Sequence, residues 1–336
     1  MEIVLIKSYT DKPWRNHDTY QLIESSLKEK WRVHSINTKE PLTLLSVIRR
    51  LQREYPKKLF VFNIAEYLDE KNKAGFLQAL LDEIDVPHLG SSAESVEIGL
   101  NKAETKKLLS KNGVPTPRYF VVNNQRIDTG SHVKEIGYPL IVKPVREGGH
   151  IGIREDSIVY DDIGLNKITH RIFDEHNQPA LVEEFISGKG MREFSVGIID
   201  GEDRLFTPIE IDYKAMDVKK EILSYKAAQR DLERTKLVQK GKIHDAIIDL
   251  AERTFDIVGA RDYSRVDLRM NDTDCYVLEI NIMPGLGPNS FLPQAAKDIL
   301  GLEYNQLIQK MVENSMRRQK IKDKRTLQSK FSKLFN

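Results

Sequence analysis

The chain has 336 residues, 40% of them hydrophobic and 30% charged, with a formal net charge of +2. That length exceeds one small core and implies two or three lobes, and the near-balanced charge singles out no class of partner. No run of 18 or more apolar residues offers a transmembrane helix, and a single cysteine, Cys275, excludes an internal disulfide and fits a reducing cytoplasm.

The opening MEIVLIKSYT lacks a basic stretch before its apolar run and a small-residue cleavage site, so it reads as a first strand over Glu2–Ile6. Apolar spacing predicts helices over 20–30, 41–55 and 69–84, with strands at 32–36, 58–64 and 86–89 between them. Alternation of this kind implies an open parallel α/β lobe over residues 1–95. Ligands of such sheets sit beyond the carboxyl ends of the strands. Asn63 and Glu66 follow the third strand and are candidate substrate-side residues, with strand-end capping as the alternative.

Ser91-Ser92-Ala93-Glu94 reads as a capping box for a helical region ending at Asn112-Gly113, and Pro115 and Pro117 mark a linker. Tyr138–Pro144 is a strand with Lys143 between apolar neighbours. A lysine there needs an anion to face. Arg146–Ile153 follows, where Gly148 and Gly149 can bring backbone N–H groups over phosphates. His150 is either a phosphate donor when protonated or a solvent-exposed loop residue. Ala180–Ile186 and Arg192–Val196 are further strands, and Leu205–Ile211 pairs with the second across Asp200–Asp203. Residues 212–236 are polar and weakly periodic, the character of a lid. Lys242–Val258 is an amphipathic helix stopping at Gly259.

Tyr263–Arg269 and Cys275–Ile282 read as a β-hairpin turning at Asn271–Asp274. Asp267 lies on the first strand, while Glu279 and Asn281 share one face of the second. If the register opposes them, three oxygen ligands converge, a set suited to a hard divalent ion such as Mg²⁺. Arg265 shares the face of Asp267 and suits an anionic transition state. A salt-bridged solvated hairpin is the bland alternative. Met283–Ser290 is a Gly-Pro loop in which Gly285 permits close backbone approach, and Ser290 sits at a helix start that favours anions. Helices over 294–300 and 303–316 close the fold. Arg317–Asn336 holds eight Lys/Arg against one acidic residue, leaving +7 on the tail and −5 elsewhere. Its Leu327, Phe331, Leu334 and Phe335 form a narrow stripe. It reads as a solvated end, or as a contact for a membrane surface, an acidic partner or nucleic acid.

SRVD at 264–267, LEIN at 278–281 and the PG…S loop at 284–290 resemble the C-terminal signature of the D-alanine–D-alanine ligase family, within the ATP-grasp superfamily. The resemblance covers about Phe60 to Met316. It implies a fold of α/β class, with the N-terminal α/β lobe (1–95), a central ATP-grasp lobe with the glycine-rich flap (96–187), a C-terminal ATP-grasp lobe with antiparallel sheets (188–316) and the basic tail (317–336) outside it. It also implies an ATP-dependent carboxylate–amine ligase working through an acyl phosphate. ATP is held by Lys102 and Lys143 at its phosphates and by the flap at Gly148, Gly149 and His150. Glu183 to Ile186 (with Glu184 and Phe185) lie at the adenine, and Glu193 at the ribose. Asp267, Glu279 and Asn281 hold two Mg²⁺, for which Mn²⁺ can substitute. Arg265 and the Gly285 N–H stabilise the oxyanion, Ser290 holds a substrate carboxylate, and Lys214 or Lys219 stands in for a lid lysine.

Three places depart from the family's pattern. Arg15-Asn16 stands near an N-terminal glutamate, Gly149-His150 replaces two flap serines, and Met216-Asp217 replaces a lid Lys-Tyr pair. The expected substrates are therefore amino-acid-like molecules other than two D-alanines. D-alanine–D-alanine ligation, aminoacylation of an acidic carrier protein docked on the tail, and non-catalytic ATP binding are the alternatives. A homodimer is left open.

Overall fold

A computed structural model describes residues 1–7, 16–38, 40–64, 75–123, 130–216, 222–226, 233–272 and 274–332, with side chains through Lys320. Glu66, Asp217, Lys219 and the apolar stripe of the tail lie outside what is described, as does Arg15.

The N-terminal lobe is a parallel sheet of β1 (Glu2–Lys7), β2 (Arg32–Asn37) and β3 (Leu59–Asn63), in the order β2-β1-β3. It is crossed by α1 (His17–Lys28), α2 (Pro41–Glu54) and α3 (Phe76–Glu83). Both faces of β1 and β3 are buried, so their runs are continuously apolar instead of alternating. The expected strand at 86–89 is only an isolated bridge, Val61 to His88. Pro87 lends its carbonyl to Val61 (2.8 Å) but has no N–H to extend the ladder.

The helical region after Gly90 is two helices, α4 (Ala93–Leu100) and α5 (Lys102–Lys111), broken at Asn101, whose side chain caps α5. The cap of α4 is Ser92 and not Ser91, because the Ser91 hydroxyl is taken by the Arg261 N–H (2.9 Å). Both helices pack on α8 (Lys242–Val258). Gly99 makes α4's approach possible, since a Cβ there would lie 2.2 Å from Ile282.

A second, antiparallel sheet follows the order β4-β7-β5-β6: β4 (Tyr119–Val122), β5 (Leu140–Pro144), β6 (Ile158–Val159) and β7 (Ala180–Glu184), with α6 (Gly130–Ile136) and α7 (Asp162–His176). The third sheet is also antiparallel. Its order is β10 (Thr235–Leu237), β9 (Leu205–Ile211), β8 (Arg192–Ile199), β11 (Tyr263–Met270), β12 (Cys275–Asn281). One face of this sheet buries Phe194, Val196, Val266 and Leu268 against Ile247, Leu250 and Phe255 of α8. The other face is left for the site.

Cys275 is half-buried, and burial pushes its thiol up to about 11. It is a protonated packing residue at neutral pH. The chain closes with α9 (Phe291–Leu300) and α10 (Tyr304–Ser332). Leu307, Ile308, Met311 and Val312 of α10 join Ile3, Leu5, Ile23 and Leu27 in one core. The helix expected to end at Met316 thus runs on into the basic segment. No helix among the described residues is long and apolar enough to cross a membrane.

Candidate active site

The free face of the third sheet is organised by β11. Arg265, Asp267 and Arg269 alternate with core residues and form one row. Asp267 lies directly opposite Glu279, and Arg265 opposite Asn281, on β12. On the other side Asp267 faces Ser195 and Arg269 faces Glu193 of β8. The three oxygen-bearing side chains expected from the hairpin are therefore adjacent.

Asp267 is saturated with donors. Arg265 reaches it through Nε (2.9 Å) and a terminal nitrogen (2.7 Å), Ser195 Oγ at 2.6 Å and Asn281 Nδ2 at 2.9 Å. Because the Asn281 nitrogen turns to Asp267, its oxygen is left for another partner. Glu279 pairs with Lys102 Nζ at 3.2 Å. Burial alone would raise the Glu279 carboxyl, but Lys102, Lys143, His150 and Arg265 hold it well below the usual carboxylate range. It is ionised at neutral pH.

The residues present fit magnesium through the ionised Glu279 and the Asn281 oxygen, with Asp267 able to join them only by exchanging one of its four donors for the ion. That ion is held by one or two carboxylates completed by phosphates and water. Among the described residues no cluster of three or more His, Cys, Asp or Glu forms. A pair of carboxylates with an amide oxygen is what that ion needs and falls short of an all-protein cage.

A cleft of about 550 Å³, counted to its open mouth, runs between this face and the second sheet. Its polar walls include Lys143, His150, Glu183, Glu193, Asp267 and Glu279, and its apolar walls include Ile141, Phe185, Ile186 and Leu278. Lys143 does face an anion, since its Nζ lies 2.5 Å from Glu183. Lys106 also reaches Glu183, at 2.8 Å. Glu183 is 2% exposed and is thus a buried counter-ion shared by two lysines. Burial would raise it, yet the two ammonium groups pull it below its ordinary value. Lys106 was invisible in the sequence because it sits in a run of helical surface-type residues.

The N–H groups of Glu184 and Phe185 donate to the carbonyls of Arg118 and Pro139 (2.9 and 3.0 Å). Neither N–H is therefore available to a ligand at this strand edge. In the flap, Gly149 and His150 both have positive φ, 60° and 59°. His150 lines the cleft and its Nε2 lies 3.6 Å from Glu233, so it is not the exposed loop residue that was one expectation. Described parts of the lid reach the same cleft. Ile222 and Leu223 line it, the Tyr225 N–H donates to Ile153 (3.1 Å), and Tyr213 donates to Glu193 (2.9 Å).

Arg269 also lines the cleft and is 4% exposed. It was missed, although the alternation that selects Arg265 and Asp267 reaches it at the next step. Other candidates lie elsewhere. Asn63 is buried at the end of β3, away from the cleft lining. Lys214 is exposed in a separate groove with Arg192, Glu210 and Lys236. Gly285 lies in the loop pinned by Tyr304 Oη on the Leu286 carbonyl (2.7 Å). Ser290 is the N-cap of α9 and makes no side-chain cap bond, while neighbouring Phe291 stacks under Arg265 at 5.3 Å.

Two antiparallel sheets gripping a cleft that holds Lys143 and a strand pair carrying two facing carboxylates define an ATP-grasp enzyme. A family model for the D-ala D-ala ligase C-terminus matches residues 108–313. The D-alanine–D-alanine ligase of Syntrophotalea carbinolica is 32% identical over 238 residues, 71% of this chain and 73% of that protein. That of Pediococcus pentosaceus is 33% identical over 261 residues, 75% of this chain and 68% of that protein. A Bacillus anthracis D-alanine–D-alanine ligase solved in complex with ATP shares the fold, with a TM-score of 0.76 over 96% of this chain and 99% of that one, at 22% identity. The chain belongs to the D-alanine–D-alanine ligase family and is a ligase forming carbon–nitrogen bonds.

Proposed function

We propose that the protein joins a carboxylate to an amine at the expense of ATP, with Mg²⁺, through an acyl phosphate, on amino-acid-like substrates other than two D-alanines. The observation that carries the reading is the juxtaposition of Arg265, Asp267, Glu279 and Asn281 with Lys102 and Lys143 around one cleft. A carboxylate oxygen takes the terminal phosphoryl group and ADP leaves. The amine then attacks the acyl carbon, inorganic phosphate leaves, and the amine's proton is lost as the amide forms.

Lys143 and Lys102 offset phosphate charge. Asp267, Glu279 and Asn281 hold magnesium, which when bound supplies charge neutralisation along the phosphates. Arg265, fixed by Asp267 and Phe291, is placed beside the acyl group, where charge develops in the tetrahedral intermediate. The flap supplies His150 and no hydroxyl at its tip, which supports a substrate other than D-alanine on that side. The names of the relatives favour a second reading, D-alanine–D-alanine ligation.

The test is ADP release with Mg²⁺-ATP against D- and L-amino acids and dipeptides, singly and in pairs, with Glu279→Ala as control. Release dependent on a particular pair establishes the ligase and its substrates. Robust turnover on D-alanine alone overturns the first reading in favour of the second. Absence of release with every pair, while ATP still binds, leaves aminoacylation of a carrier protein or non-catalytic nucleotide binding.

A further inference from the structure

Arg269 is not needed by the chemistry just described, yet it is one of the most buried charges in the cleft. It stands directly across from Glu193 in the β11–β8 ladder. Its terminal nitrogen lies 3.1 Å from Glu193 Oε2, and the same oxygen accepts the Tyr213 hydroxyl at 2.9 Å. Its guanidinium carbon lies 4.4 Å over the ring of Phe185, on the opposite wall. The side chain therefore bridges the two sheets that grip the nucleotide. One end is a ring beside Ile186, the other a buried carboxylate.

This geometry has a consequence for Glu193. An isolated carboxylate at this depth is unfavourable. Burial does push the Glu193 carboxyl above its ordinary value, with Arg269 and Tyr213 drawing it back. Both contacts fall on Oε2, so the carboxylate is clamped by one oxygen. A planar guanidinium stacked on a ring holds one orientation, which a lysine ammonium on a flexible stem does not. The row on β11 then divides the cleft by function. Arg265 stands at the acyl end beside Phe291, Asp267 in the middle, and Arg269 at the end walled by Phe185 and Ile186.

We propose that Arg269 is a positioning residue for the ribose end of the nucleotide, clamping Glu193 through Oε2 so that Oε1 meets the ribose 2′-hydroxyl, and that it thereby makes the site selective for ribonucleoside over 2′-deoxyribonucleoside triphosphates. The inference rests on the assignment of the cleft to ATP and of Glu193 to the ribose.

Calorimetric titration of the full chain with ATP and with 2′-deoxy-ATP tests it, using wild type, Arg269→Met, Arg269→Lys, Glu193→Gln and the double variant Glu193→Gln/Arg269→Met. Loss of one hydrogen bond to a charged group corresponds to roughly tenfold or more in affinity. The wild type is expected to prefer ATP by about that factor. Arg269→Met is expected to lose most of the preference by weakening ATP binding, with 2′-deoxy-ATP binding little changed, and Arg269→Lys to fall between.

Arg269→Met leaves Glu193 buried without its cation and risks the fold. The double variant carries no such charge and is expected to match Glu193→Gln alone. A merely structural Arg269 would lower the melting temperature and weaken both nucleotides alike, keeping the preference, which overturns the proposal. Wild-type discrimination surviving in the double variant overturns it too. A wild type that binds no ATP removes the functional reading and this inference with it. A wild type that binds ATP and discriminates, beside an Arg269→Met variant that discriminates equally, removes this inference alone.

Discussion

Asp262 and Arg318 form a two-pronged ion pair, 2.7 and 3.0 Å long, that ties α10 to the residue before β11. Asp262 is 1% exposed and also accepts from the Gly90 N–H and the Ser315 hydroxyl, both at 2.7 Å. The N-terminal lobe, the root of β11 and the last helix thus meet on one carboxylate. Truncation after Met316 removes Arg318 and Gln319, whereas truncation after Lys320 keeps both. The first should destabilise the protein by about 1–3 kcal/mol, the range for stranding a charged hydrogen-bond partner. The second should leave urea unfolding unchanged. Equal unfolding midpoints for the two truncations would deny the ion pair any structural role.

Glu183 sits between Lys106 and Lys143, and this arrangement assigns it a test of its own. Burial draws the Lys106 ammonium down to about 8, whereas Lys143, against the same pull, is held above its ordinary value by Glu183 and Glu279. Glu183→Gln leaves two buried lysines facing each other. By the measure of a broken buried ion pair it should cost about 3–5 kcal/mol of stability. If Glu183 only read the base, ATP affinity would fall while the melting temperature stayed put. Thermal unfolding without nucleotide separates the two.

Much of the hairpin was legible because strand alternation and the turn at Asn271–Asp274 fix which side chains share a face. The adjacency of Asp267, Glu279 and Asn281 was readable that way, and that of Arg269 would have been had the same period been followed one step further. What period and motif do not carry is pairing across sheets. The Lys106–Glu183 and Arg269–Phe185 contacts join elements far apart in sequence, and no local rule selects them. The N-terminal strands and helices were readable from apolar spacing. The fourth strand was not, because Pro87 limits pairing without altering the hydrophobic pattern. The Ser91 cap failed for a similar reason: a distant N–H, that of Arg261, competes for the hydroxyl.

The N-terminal lobe carries a predictable acid sensitivity. Glu24 on α1 pairs with Lys28 at 2.6 Å and with Lys7 of β1. Burial would raise its carboxyl, but the two lysines bring it from 4.5 down to about 2. The folded state therefore binds its proton less readily than the unfolded state. Its contribution is complete above pH 4.5 and is lost as pH falls from there toward 2. Allowing for partial exposure, the effect is about 2 kcal/mol. Stability measured by urea unfolding at pH 6 and pH 3 should fall less in Glu24→Gln than in wild type. Parallel losses in the two would show that the acid limb arises elsewhere.

Magnesium dependence should divide Glu279 from Asp267. Among the described residues Glu279 has one direct cation partner, Lys102, whereas Asp267 is held by Arg265, Ser195 and Asn281 together. Glu279→Gln keeps the shape, removes a charge from the ion's side of the pair and frees Lys102. It should raise the Mg²⁺ concentration needed for half-maximal ADP release by roughly 10–100-fold, and it should also lower stability, because Lys102 is left buried without its carboxylate. Asp267→Asn removes the charge that orients Arg265 as well. It should lower the rate at saturating Mg²⁺ in addition to raising the requirement, because Arg265 then loses the carboxylate that fixes its guanidinium. Titrating Mg²⁺ at saturating ATP in both variants gives the two numbers separately. A Glu279→Gln enzyme with an unchanged magnesium requirement would take Glu279 out of the metal site and leave it as the counter-ion of Lys102.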